Sequence, residues 1–187
     1  TLPALNLLAT PHPVKSRGPR ILVLVPTREL AAQVNEAARK YGKFIRARTV
    51  SIVGGMPYPL QNKLLSQPID ILVATPGRLI DHMERGRIDM SRLQMLILDE
   101  ADRMLDMGFI RDIKKVLALL PKQRQNLLFS ATFSDEIKAL ADGLLHNPGF
   151  VEVARRNTAS ELVEQTVHMV PQSHKRDLVS HLVKTND

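Results

Sequence analysis

The chain has 187 residues, no cysteine, 44% hydrophobic and 24% charged residues, and a net charge of +7. That length suffices for one substantial core and part of a second domain, in a composition typical of soluble globular proteins. The absence of cysteine excludes disulfides and thiolate chemistry and fits a reducing cytoplasm; no apolar run is long enough to span a bilayer, and the six scattered histidines offer no His-x-x-x-His zinc pair.

In chain order, residues 1–9 read as a short helix and 11–19, with three prolines, one glycine and two bases, as a surface loop. A strand at 20–25 runs into Pro26-Thr27-Arg28-Glu29-Leu30 and a helix at 29–44. A strand at 49–53 ends in Gly54-Gly55, before a helix at 59–66. A third strand, 69–74, meets Thr75-Pro76-Gly77-Arg78 and a helix at 78–84. The apolar strand 95–98 opens onto Asp99-Glu100-Ala101-Asp102. A helix at 110–120 and a strand at 126–129 lead to Ser130-Ala131-Thr132. A helix at 135–146 follows, with Ser134 as N-cap and two acids in its first turn. A last strand is expected at 150–153. Strands this continuously hydrophobic are buried on both faces, and their alternation with helices predicts an α/β doubly wound parallel sheet.

The main domain is expected to cover 1–154 and a linker 155–163. A strand at 165–170 and a helix at 175–183 are too little to bury a core of their own. Residues 164–187 therefore either pack on the first domain or begin another. The charge is uneven along this plan. Residues 1–50 hold nine Lys or Arg against two acids, whereas the rest is balanced, seventeen against seventeen. Positive charge so concentrated favours a polyanion, nucleic acid first, although any single Lys is equally at home on a solvated helix face.

Five polar clusters follow strands, where open α/β sheets present ligands. Asp99 and Glu100 are the strongest. Phosphoryl transfer uses one carboxylate to help hold magnesium and a neighbour to orient or deprotonate the attacking water. Thr27 and Arg28 offer a hydroxyl, a guanidinium and a helix N-terminus to an anion, and an ordinary helix cap would need the same Thr27. Gly54-Gly55 allows close backbone approach or makes a plain tight turn. Thr75 with Arg78 can hold a phosphate or cap a helix. Ser130 and Thr132 place hydroxyls beside the acidic cluster.

The ordered set PTREL, GG, TPGR, DEAD and SAT, continued by RMLDMGF at 103–109, closely resembles the DEAD-box RNA helicases of superfamily 2, with a spacing like the bacterial RhlE-type subgroup. The resemblance implies a RecA-like sheet of P-loop NTPase type, with ATP and Mg2+ as cofactors and RNA as partner, single-stranded or a short duplex, with little sequence preference. It implies that Asp99 holds magnesium through water, that Glu100 positions the attacking water, and that Asp102 ties to Ser130 and Thr132. Pro26, Thr27, Arg28, Gly54, Gly55, Thr75, Pro76, Gly77 and Arg78 would grip one RNA strand. Family members close two RecA-like domains around ATP and RNA.

One departure stands out. The sequence contains no Gly-x-x-x-x-Gly-Lys-Thr. The family's first strand and phosphate loop are thus expected upstream of a helix like 1–9, and their absence is expected to leave a gap in the sheet and the fragment itself inactive. A nucleotide-independent RNA-binding module and a DNA helicase of the same superfamily remain alternatives on residues alone.

Overall fold

The computed structural model describes residues 1–153 and 168–185. The expected linker and the start of the strand expected at 165–170 lie outside them. The chain divides into two compact units, Thr1–Pro148 and Gly149–Asp187.

The first unit is built on β1 (Ile21–Leu24), β2 (Thr49–Ile52), β3 (Ile71–Ala74), β4 (Met95–Leu98) and β5 (Gln125–Leu128). They form one sheet in the order β2-β3-β1-β4-β5, with every pairing parallel. The chain builds from β1 to one side, then crosses β1 to add β4 and β5 on the other. The winding reverses between β1 and β4, and such a switch point opens a crevice at the strand ends. The register is even: Ile52, Ala74, Leu24, Leu98 and Leu128 stand side by side. Whatever follows each strand therefore emerges at one level.

Alternation along the strands builds two cores. Leu22, Leu24, Leu72, Ala74, Leu96 and Leu98 point to one face. That face is covered by α4 (Pro76–Glu84), α5 (Ala101–Asp106), α6 (Ile110–Leu119) and α7 (Asp135–Leu144), which contribute Leu79, Met104, Ile113 and Ile137. Ile21, Val23, Ile71, Val73 and Met95 point to the other, under α1 (Leu2–Leu8) and α2 (Arg28–Tyr41). Burial on both faces is what the unbroken apolar strands anticipate. Each fully buried Leu or Ile contributes about 1.5–3 kcal/mol. The remaining helix of this unit is α3 (Tyr58–Leu65), and a 3-10 turn, Gly42–Ile45, finishes α2. The Ser134 hydroxyl caps α7 by accepting from Ile137 N–H.

Four expectations need correction. The stretch 150–153 forms no strand; its apolar residues Phe150, Val151 and Val153 are exposed, because hydrophobicity makes a strand only where a ladder partner is supplied. The five strands are contiguous, so no gap opens among them; among the described residues β2 pairs with β3 alone and β5 with β4 alone, and these are the sheet's two edges. The loop at 11–19 is not wholly superficial, since Gly18 and Pro19 are buried, with Gly18 against the Asp89 backbone. Helix α5 was not expected.

In the second unit, the described residues form a short 3-10 turn, Gln172–His174, and α8 (Lys175–Thr185), neither with buried residues. Residues 168–170, the described end of the expected strand, are not in a strand. Among the described residues, no helix is long and apolar enough to cross a membrane.

Candidate functional site

The five clusters emerge along one edge of the sheet, divided by strand order. Those after β2, β3 and β1 are neighbours, and those after β4 and β5 lie beyond them.

On the first side a groove of about 400 Å³ is lined by Pro26, Thr27, Arg28, Glu29, Gly54, Gly55 and Thr75, together with Met107 and Phe109. Six of the nine residues expected to grip RNA thus share one concavity. Thr27 does what a cap does: its hydroxyl accepts from Leu30 N–H at 3.2 Å. Thr75 does not. It stands at the N-cap of α4 without capping it, and its Oγ1 accepts from Gly54 N–H at 3.4 Å, fastening the neighbouring turn. Gly55 has φ +78°, and a Cβ there would lie 2.8 Å from Arg28 Nη1. The left-handed backbone favours glycine, and a Cβ would also push the flexible Arg28 guanidinium aside. Gly54 has nothing within 4 Å of such a Cβ.

The other three expected residues lie outside this lining. Pro76 is buried and Gly77 sits in the first turn of α4 beside Asp112. Arg78 is occupied within the protein: its Nη1 donates to Met56 O at 2.9 Å and its guanidinium lies 4.2 Å from the centre of the Tyr58 ring. It braces the turn, and the planar fork suits both the carbonyl and the aromatic face.

A second brace is invisible to motif reading. Gln61 is fully buried, and its Nε2 donates to Val53 O at 3.2 Å and Met56 O at 2.7 Å, on either side of Gly54-Gly55. Its Oε1 must then accept, so buried His82 donates from Nε2, at 3.2 Å. The His82 Nδ1 is buried without a partner. Burial holds the His82 pKa below the ordinary histidine value, Asp81 pulling the other way. The ring is therefore neutral at pH 7, as this tautomer requires. A glutamine seven residues after a glycine pair carries no signal of this role by itself.

On the second side, Asp99 and Glu100 are half-buried at the exit of β4. Glu100 adopts φ 51°, ψ 52°, a left-handed conformation that costs a non-glycine residue about 1–3 kcal/mol and clusters at functional sites. The strain is held by the surroundings. Asp99 N–H donates to Leu24 O, Ala101 N–H donates to Phe129 O, and Asp99 Oδ1 accepts from Glu100 N–H at 3.1 Å. Arg103 is 3.9 Å from the Glu100 carboxylate.

Asp102 reaches across to the cluster after β5. Its Oδ2 accepts from both Thr132 N–H and Thr132 Oγ1, each at 3.1 Å. Burial alone would raise the Asp102 pKa; the bonds from Arg103 N–H and Thr132 outweigh it and hold the carboxyl below the usual range. The Ser130 hydroxyl adds a last, smaller pull. Its buried Oγ nonetheless completes no hydrogen bond of normal geometry, so the coupling runs through Thr132. Of the two expected ties of Asp102, that to Thr132 is a full hydrogen bond and that to Ser130 is only the smaller pull.

The donor set fits a phosphate-bound magnesium better than a resident metal. Among the described residues there is no group of three or more His, Asp or Glu able to hold an ion. Magnesium characteristically keeps several waters and takes one or two carboxylates plus substrate phosphates. Asp99, with Oδ1 engaged by backbone and a half-exposed side chain, can supply one such ligand. It also lines an otherwise apolar cavity of about 290 Å³ against the α1–α2 face, with Thr1, Ala4, Ile97 and Phe129 among its walls.

Comparison with known proteins places this arrangement. A family model described as DEAD/DEAH box helicase matches residues 1–140. The ATP-dependent RNA helicase RhlB of Pseudomonas putida is 45% identical over 187 residues, covering 97% of this chain and 47% of that protein. The ATP-dependent RNA helicase DBP2 of Chaetomium globosum is 42% identical over 190 residues, covering 98% and 33%. The chain thus spans about half the length of the RhlB relative. Those names do not distinguish RhlB from the expected RhlE-type subgroup. Among solved structures, the yeast DEAD-box splicing factor Prp28 superposes with a TM-score of 0.71 at 34% identity, over 77% of this chain and 35% of that one. A hypothetical ATP-dependent RNA helicase from Sulfolobus tokodaii gives 0.69 at 39%, over 78% and 41%. The RecA-like sheet, the order of the motif turns on its rim and the match over residues 1–140 agree: this chain belongs to the DEAD/DEAH box helicase family.

Proposed function

We propose that the chain is the first RecA-like domain of an ATP-dependent RNA helicase, with residues beyond the linker beginning the second. The observation that carries this reading is the shared rim. Three strand exits, with Met107 and Phe109, form a groove whose lining holds two glycines, two threonines, one arginine and one glutamate, and two adjacent exits present Asp99, Glu100 and the Asp102–Thr132 tie.

The groove suits a phosphodiester chain. Arg28 offers a charge-assisted fork, and the α2 N-terminus offers backbone N–H groups. Glu29, in the same groove, sets a limit by repelling a phosphate from that corner. Contacts of this type position a strand without reading its bases. Asp99 would hold magnesium, which supplies charge neutralisation at the transferring phosphate. Glu100, fixed by its left-handed backbone, orients the attacking water and accepts its proton. Asp102 passes the state of the acidic turn to Thr132 and so to the segment after β5. The sequence carries no Gly-x-x-x-x-Gly-Lys-Thr, so these residues account for metal and water and not for a phosphate cradle.

The test is ATP hydrolysis by the full-length protein with unstructured RNA, with DNA of equal length, and with neither. RNA-specific stimulation is expected. Equal stimulation by DNA would make the substrate nucleic acid in general, and turnover indifferent to both would overturn the reading.

A further inference from the structure

We propose that the turn closing α2, residues 39–48, is a second contact for single-stranded RNA, remote from the motif groove. Only the choice of RNA as the strand rests on the proposed function. Arg39, Lys40, Lys43 and Arg46 are exposed, and none of them is ion-paired among the described residues. Glu36 lies one helical turn before Arg39 and Lys40, but the sequence holds no further acid until Asp70, so local sequence offers nothing to neutralise Lys43 and Arg46. Arg39 and Lys40 have a plain explanation, since bases in the last turn of a helix complement its dipole. Lys43 and Arg46 lie beyond the helix and do not.

The apolar residues decide the kind of partner. Phe44 is 92% exposed and Tyr41 52%, and Lys40 Nζ lies 6.0 Å from the Tyr41 ring centre. The turn is rigid. Gly42 is buried, with Ala47 and Leu5 each 3.2 Å from where a Cβ would stand, and Arg46 closes the turn at φ 53° with its N–H on Gly42 O and Lys43 O. An exposed aromatic ring among basic side chains is the platform on which proteins stack unpaired bases while holding the phosphates between them. A nucleotide meets both features in one repeating unit, its base on the ring and its phosphate on the charges, whereas an acidic polypeptide would need an apolar side chain placed for the ring.

The position makes this a separate site. Helix α2 has 14 residues and runs back from the rim over the sheet. Its far end is thus roughly 21 Å from Arg28, at the start of β2 and not at a strand exit. A strand seated in the groove could reach the turn only if long enough to pass along the domain.

The experiment is fluorescence anisotropy of the full-length protein with oligouridylates of about 4 and about 16 nucleotides, spanning common single-strand site sizes. Phe44→Ala and the double variant Lys43→Glu/Arg46→Glu are compared with Arg28→Ala. All change exposed side chains, so folding is not at issue, and circular dichroism checks it. For the long oligomer, Phe44→Ala is expected to weaken binding about tenfold; the double variant should also lower the magnitude of the salt slope by about one to two. The short oligomer should be unaffected by both. Arg28→Ala should weaken both lengths. Long-oligomer affinity unchanged in Phe44→Ala overturns the proposal. So does a loss confined to the charge variant, which would mean that the turn attracts the polyanion by charge alone and stacks no base. If Arg28→Ala has no effect while Phe44→Ala still does, the groove reading fails and this one stands.

Discussion

The two halves of the rim solve different problems with different materials. On the side of β2, β3 and β1, the surface offered to a ligand is largely backbone, small residues and a single guanidinium, and rigidity comes from behind. Gln61 holds both flanks of the Gly54-Gly55 turn, Arg78 holds Met56, and Thr75 holds Gly54. On the side of β4 and β5, the groups offered are carboxylates, and the turn is fixed by the left-handed backbone at Glu100 and the Asp102–Thr132 tie. A strand of nucleic acid is held by many modest contacts, so shape matters most. Chemistry at one phosphate needs one group in one place, so strain there is tolerated.

The comparison breaks most sharply at Glu100 and Arg28. In the full-length protein, Glu100→Gln keeps shape and removes the base. RNA-stimulated kcat should fall by about 10²–10⁴ while RNA affinity stays within about twofold. A variant that loses affinity as much as turnover would merge the two halves. Arg28→Ala should do the reverse. Loss of a charge-assisted contact is expected to weaken RNA binding by about 10- to 100-fold and reduce the salt slope by about one, with RNA-independent hydrolysis unchanged. Titration of RNA at several salt concentrations reads both effects.

Much of this was legible because the strands announce their own ends. An apolar run such as Leu96-Ile97-Leu98 stops at Asp99, and the even register then brings five such stops to one level. The same apolar reasoning failed at Phe150–Val153, since no residue type encodes whether a partner strand is present. Motif residues were located correctly along the rim but not always in the groove. Arg78 looked like a phosphate ligand, and only the fold reveals Met56 O and Tyr58 waiting for it. Gln61 and His82 were missed for the converse reason: polar residues on amphipathic helices look solvent-facing until the opposite wall is known. The left-handed Glu100 is likewise imposed by the bonds around it, not by its residue type.

Gly54 and Gly55 differ in what a side chain would meet. Gly55→Ala must place a Cβ at positive φ and against Arg28, so it should cost about 1 kcal/mol or more, about 2–4 °C in Tm, and weaken RNA binding several-fold. Gly54→Ala meets open space and should change stability by no more than about 0.5 kcal/mol. Thermal unfolding of the two variants side by side measures this. Equal effects would mean that the pair is a flexible hinge and not a fitted turn.

The smallest expected effect tests the link on the other side. Because the folded Asp102 pKa is depressed, its contribution to stability is complete above the ordinary Asp value, about 3.9, and is lost as the pH falls through the lower folded value. Thermal stability should therefore drop below about pH 4 with a component that Asp102→Asn lacks. The hydroxyls then separate. Thr132→Val removes one of the two bonds to Asp102 Oδ2 and should flatten part of that acid dependence, whereas Ser130→Ala, which breaks no formed bond, should leave most of it. If Ser130→Ala flattens it more than Thr132→Val, the tie between the acidic turn and the segment after β5 passes through Ser130, and the coupling geometry described for this side is wrong.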